Sequence, residues 1–135
     1  MASPSEGTTM NLNQVTLGTR DLASAKRFYQ TLGLTLIVDT PHYLRFVAST
    51  GDATLSISLD ANFVANGNTI YFEANELAQE VDRLQQAGLV FEQLPKDEPY
   101  LWTEAILLDP AGNRIKLYYA GENRLNPPWR VNNGN

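Results

Sequence analysis

The chain has 135 residues, enough for one domain with a packed core, and 43% of them are hydrophobic against 19% charged. Against 15 Asp and Glu there are 10 Lys and Arg, and the net charge of -5 repels phosphate backbones and argues against nucleic-acid binding. There is no cysteine, which excludes disulfides, thiolate metal sites and cysteine nucleophiles, and the single histidine, His42, excludes sites that need two imidazoles.

No apolar run approaches the roughly 18 residues of a membrane span, and the N-terminus lacks the apolar stretch of a secretory signal. A cytoplasmic protein away from membranes is expected. Residues 1–9 (MASPSEGTT) are small, polar and without periodicity, which reads as a flexible leader. From Leu12 to Gly18 the pattern is a strand, with Val15 and Leu17 on one face and Gln14 and Thr16 on the other. Asp21 is an N-cap residue for a helix carrying Leu22, Ala25, Phe28, Tyr29 and Leu32 at helical spacing, and Gly33 ends it. Strands are expected over Leu34–Val38, Tyr43–Val47 and Thr54–Leu59.

The same order then recurs. Ile70, Phe72 and Ala74 alternate with Thr69, Tyr71 and Glu73. Asn75 or Glu76 caps a helix bearing Leu77, Val81, Leu84 and Ala87, Gly88 closes it, and a strand is expected over Leu89–Phe91. One offset of 55 residues superposes the two passages, carrying Gln14 onto Thr69, Asp21 onto Glu76 and Gly33 onto Gly88. Strands over Glu104–Leu108 and Arg114–Tyr118 complete the second unit, joined by the turn Asp109-Pro110-Ala111-Gly112-Asn113. The fold class is α+β, with two tandem βαβββ modules over residues 10–60 and 66–120 of a single domain, 10–120. Residues 121–135 carry two consecutive prolines, unsuited to a sheet interior, and form a tail whose Trp129 is expected to dock on the body.

Packing under a helix takes one face of each strand, and alternation assigns the opposite face. That face holds Leu12, Gln14, Thr16, Tyr43, Arg45, Ser56, Ser58, Thr69, Tyr71, Glu73, Glu104, Ile106, Lys116 and Tyr118. Polar and aromatic on a curved sheet, it suits a ligand cup. Tyr43, Tyr71, Tyr118 and Trp102 either line that cup for a planar ligand or serve sheet packing. Arg45 suits a carboxylate or phosphate, or pairs with a surface acid at the rim. Glu104 is a candidate acid–base carboxylate or a salt-bridged one, and His42 is a general base or a solvated connector after Pro41.

The segments NQVTLGTRDLASAKRFYQTLGL (Asn13–Leu34) and AILLDPAGNRIKLYY (Ala105–Tyr119) resemble the vicinal oxygen chelate superfamily of glyoxalase I, extradiol dioxygenases and bleomycin-resistance proteins. With the repeat, the resemblance covers about residues 10–120. It implies that the modules curve into a half-open, cup-shaped barrel, with a second chain packed alongside as a homodimer. Metal-dependent members hold a divalent ion at four positions, which carry over to Gln14, Ser56 (or Ser58), Thr69 and Lys116. Only Gln14 keeps a ligand-competent side chain. Lys116 stands where the family has a glutamate, and a protonated ammonium cannot coordinate a cation. Lys116 is then either an electrostatic substitute for the metal, or a lysine paired with Glu104 or Glu73.

No metal and no cofactor are therefore expected. The function expected first is metal-independent binding of a small, anionic or aromatic ligand, as in bleomycin-resistance relatives, by Gln14, Tyr43, Arg45, Ser56, Thr69, Tyr71, Trp102, Glu104, Lys116 and Tyr118. An isomerase, lyase or dioxygenase using a metal, or Glu104, Tyr118 and Lys116 as catalytic acid–base groups, is the alternative. A non-catalytic interaction module is the third.

Overall fold

The computed structural model describes residues 9–131; the proposed leader, apart from Thr9, lies outside them. The first module runs β1 (Gln14–Thr19), α1 (Leu22–Leu32), β2 (Thr35–Asp39), β3 (Tyr43–Val47) and β4 (Thr54–Leu59). The second repeats it with β5 (Thr69–Glu73), α2 (Leu77–Gln86), β6 (Gln93–Asp97), β7 (Thr103–Leu108) and β8 (Arg114–Tyr119). A 3₁₀ turn, Gly121–Arg124, follows. Each module is a four-stranded sheet, ordered β1-β4-β3-β2 and β5-β8-β7-β6, in which only the β1–β4 and β5–β8 pairs are parallel. The sheets are open, and together they form the two-module cup.

Helix boundaries follow local chemistry. Asp21 is extended, and its carboxylate accepts from the Ala23 amide at 3.1 Å, satisfying a donor the first turn leaves free. Gly33 ends α1 in the left-handed region at φ 116°, where its amide reaches the Tyr29 and Gln30 carbonyls. The buried stripe of α1 is Ala25, Phe28, Tyr29 and Leu32, and that of α2 is Leu77, Val81 and Leu84. They meet the inward residues of the strands, Leu44, Phe46, Leu55, Ile57, Ala105, Leu107, Ile115 and Leu117, in one continuous core. Burying each of the larger side chains contributes about 1.5–3 kcal/mol.

The modules are also joined by polar contacts. Tyr29 of α1 donates to Asp109 in the β7–β8 turn, and the Asn113 side chain donates to the Gly18 carbonyl of β1 at 2.9 Å. Arg83 of α2 donates to the Thr31 and Leu32 carbonyls at the end of α1, both at 3.2 Å.

Two expectations are corrected. Leu89–Phe91 is not a strand: Leu89 and Phe91 pack against the core from a connector, and the strand begins at Gln93. Pro95 lies within this β6, which is tolerable because β6 is an edge strand with one side free of ladder bonds. Trp129 does not dock; it is 58% exposed. Among the described residues, no helix is long and apolar enough to cross a membrane.

Candidate functional site

The strand register puts the expected polar residues on the face turned away from the helices. In the first module Thr16, Ser56 and Arg45 lie side by side across β1, β4 and β3, with Gly18, Ser58 and Tyr43 in the next row. The Gln14 amide nitrogen donates to Thr16 Oγ1 and Ser56 Oγ, both at 3.1 Å, while its oxygen accepts from Thr54. Arg45 Nε donates to Ser56 Oγ at 3.2 Å, and its guanidinium lies 5.6 Å from the Tyr43 ring centre. No acidic partner of Arg45 occurs among the described residues, so its outer nitrogens keep their donors. This half is a hydroxyl and amide surface with one open guanidinium.

The second half is aromatic and holds an ion pair. Tyr71, Lys116, Ile106 and Gln93 form one row across the sheet, and Glu73, Tyr118, Glu104 and Lys96 the next. Trp102 stacks on Tyr118 with centres 4.6 Å apart and planes at 19°, and Tyr71 stands edge-on to both rings. Lys116 Nζ donates to Glu104 Oε1 at 2.9 Å, and the Tyr100 hydroxyl donates to the same oxygen at 2.8 Å. Glu104 is 2% exposed. Burial works against the Lys116 charge, but the hydrogen bond and negative charge of Glu104 prevail and hold its pKa above the ordinary lysine value. The Lys116 cation is thus neutralised within the cup.

Tyr118 is placed differently from these two. Burial raises its phenol pKa first and the Glu73 charge second, against the pull of Arg124. Glu73 Oε2 itself accepts the Ala120 and Gly121 amides at 2.8 and 2.9 Å, anchoring the start of the tail beside the cup. The Trp102 indole donates to the Asn123 carbonyl at 3.4 Å, so the same 3₁₀ turn borders the aromatic cluster. Thr69 opens β5 beside Arg114, and His42 lies exposed in the β2–β3 connector.

Tyr100 was not among the expected site residues. It sits at the tip of the β6–β7 hairpin, where no alternation assigns a face, yet its hydroxyl is turned onto Glu104. No sequence signal pointed to it, two residues before Trp102 and outside any alternating strand.

The donor set does not fit a divalent ion. Gln14 is already bonded to Thr54, Thr16 and Ser56, Thr69 offers only a hydroxyl, and the Lys116 ammonium stands at the fourth position. Among the described residues no three His, Cys, Asp or Glu side chains are grouped to hold a metal.

Two open βαβββ sheets with this polar concave face define a recognised class. The model of the glyoxalase/bleomycin resistance protein/dioxygenase superfamily matches residues 11–117, and the chain belongs to that superfamily. Among solved structures it is similar to lactoylglutathione lyase from Agrobacterium tumefaciens (20% identity, TM-score 0.70, covering 82% of this chain and 94% of that one). It is similar also to a bleomycin-binding protein solved with bleomycin (20% identity, TM-score 0.68, covering 82% and 98%). A bleomycin resistance determinant encoded on transposon Tn5 superposes with TM-score 0.70 at 19% identity, covering 82% and 98%. At such identities the likeness is one of fold. The curated proteins include no sequence match.

Proposed function

We propose that this protein binds a small organic molecule in its cup without a divalent metal. The observation that carries this is the Lys116–Glu104 pair at 2.9 Å. It sets a neutralised ammonium where metal-dependent relatives would need a ligand, and leaves the aromatic surface of Tyr71 and Trp102 as the main binding element. The superfamily includes a structure with bleomycin bound, which supports the same use of the fold. Arg45, with free donors, suits an anionic group of the ligand.

An enzyme using Glu104 as its base would have to draw on a carboxylate whose Oε1 is already engaged by Lys116 and Tyr100. Binding without turnover is therefore favoured. The binding unit is residues 10–120, and it works as a homodimer: β1 and β5 are edge strands, and a groove of about 950 Å³ between them, lined by Val15, Leu55, Ile70, Phe72 and Leu117, suits coverage by a second copy. Sedimentation equilibrium at tens of micromolar should give twice the chain mass, and a monomer would refute this part.

The binding reading is tested by a thermal-shift screen of drug-like aromatics alongside zinc, nickel, manganese and magnesium. An organic ligand at about 100 times its Kd should stabilise by about 2.7 kcal/mol, and the metals should not. Stoichiometric metal binding lost in Gln14→Ala would overturn the metal-free reading.

A further inference from the structure

We infer that the second module's half of the cup takes the edge of a neutral, planar lactam, a ring bearing an N–H beside a C=O. This rests on the small-molecule reading above and narrows it to a ligand class. Glu104 is 2% exposed, and both of its donors, Lys116 and Tyr100, converge on Oε1. No described residue donates to Oε2, yet no described buried side-chain oxygen or nitrogen is sealed off without a partner, so Oε2 is not fully enclosed, on a side chain that the strand register turns to the cup face. It is an acceptor awaiting a donor.

Lys116 supplies the complement. It has three N–H donors, of which one is on Glu104; the ammonium also stands 5.5 Å from the Tyr71 ring centre, and its side chain is 16% exposed. A lactam N–H on Glu104 Oε2 and its C=O on Lys116 Nζ would close a ring of hydrogen bonds through the existing pair. Charge selects against the alternatives. A ligand carboxylate here meets Glu104, a ligand ammonium meets Lys116, and a neutral donor–acceptor edge meets neither repulsion. The walls suit a flat ring: Trp102 and Tyr118 are stacked, Tyr71 stands edge-on to both, and Tyr100 stands edge-on to Trp102 with centres 6.1 Å apart.

The test uses the whole protein with Trp129→Phe, so that Trp102 is the sole tryptophan. Its indole N–H signal is followed by NMR during titration with quinolin-2-one, its N-methyl derivative and 2-naphthoate. Quinolin-2-one should shift the Trp102 signal saturably, and N-methylation should weaken binding about tenfold or more, as loss of a hydrogen bond to a charged group does. Glu104→Gln, which removes the negative charge but keeps Lys116, should move the preference from quinolin-2-one towards 2-naphthoate; the wild-type comparison decides if that variant fails to fold. Equal binding of the N-methyl compound, or stronger binding of 2-naphthoate at Trp102 of the unaltered cup, would overturn the lactam class and leave small-molecule binding standing. If none of the three perturbs Trp102, both the lactam inference and the binding role of this aromatic half fall.

Discussion

The Tyr29 hydroxyl donates to Asp109 Oδ2 at 2.6 Å across 80 residues of chain, with both side chains buried. Asp109 also accepts the Ala111 and Asn113 amides at 2.9 and 2.8 Å and the Asn113 side chain at 2.8 Å. One carboxylate thus ties α1 of the first module to the last turn of the second. Tyr29→Phe should cost about 1.5–3 kcal/mol, the worth of a hydrogen bond to a charged group, and Asp109→Ala more, because several buried donors lose their acceptor together. Urea denaturation measures both. A Tyr29→Phe loss below about 0.5 kcal/mol would show that the contact holds nothing together.

Gly18 is the second point of constraint. A Cβ on it would collide with the Phe63 ring, which the linker between modules brings against the β1 backbone. Gly18→Ala should therefore destabilise by about 1–3 kcal/mol, the usual cost of overpacking. Adding Phe63→Ala should recover part of that loss in a double-mutant cycle, whereas simple additivity would mean that the clash is not the cause.

Leu101, in the hairpin that carries Tyr100 and Trp102, is the one non-glycine described residue with positive φ, at 70°. Left-handed backbone costs a branched residue about 1–2 kcal/mol, and glycine gives back about 0.5–1 kcal/mol in unfolded-state entropy. Leu101→Gly should thus raise stability by roughly 0.5–1 kcal/mol and move Tm upward. A lower Tm would mean that the half-exposed leucine side chain makes contacts worth more than its strain.

Alkaline pH should loosen the fold. Burial first, and the charge and hydrogen bond of Asp109 second, raise the Tyr29 pKa well above the phenol value of 10.0. Lys116 is likewise held above 10.5 by Glu104, against the opposing effect of burial. For both groups the unfolded chain releases its proton first as pH rises, so their contribution is complete below about pH 10 and is lost above it. Urea midpoints should be flat for these groups from pH 8 to about 10 and then fall, less steeply in Tyr29→Phe. A fall of equal slope in that variant would remove Tyr29 from the account.

The repeat was legible because the skeleton obeys it: β1 and β5 begin at Gln14 and Thr69, and α1 and α2 at Leu22 and Leu77, all at the offset of 55 residues. The cup face was legible because Ala105, Leu107, Ile115 and Leu117 alternate without a break, fixing Glu104, Lys116 and Tyr118 on the other side. The equivalence fails after Gly88, where the apolar Leu89-Val90-Phe91 is a connector and the polar, proline-bearing β6 is the strand. An edge strand needs neither alternating hydrophobicity nor every amide. Pairing of Lys116 with Glu104 was one of the readings open to sequence, and the two side chains do meet, at 2.9 Å. Tyr100 lay beyond reach because a hairpin tip has no periodicity to read.

The strict in–out alternation of β7 and β8 also has a consequence for change over generations. The core residues lie on one face of these strands and the cup residues on the other, so a mutation at Ile106 or Tyr71 can alter the cup surface without touching the core. Most cup positions are thus free to drift singly, and a library randomised there should remain largely folded. Glu104 and Lys116 are constrained as a pair: either one alone leaves a charge stranded, so exchanging both together is the step that turns this half of the cup towards a metal-binding or a cationic one.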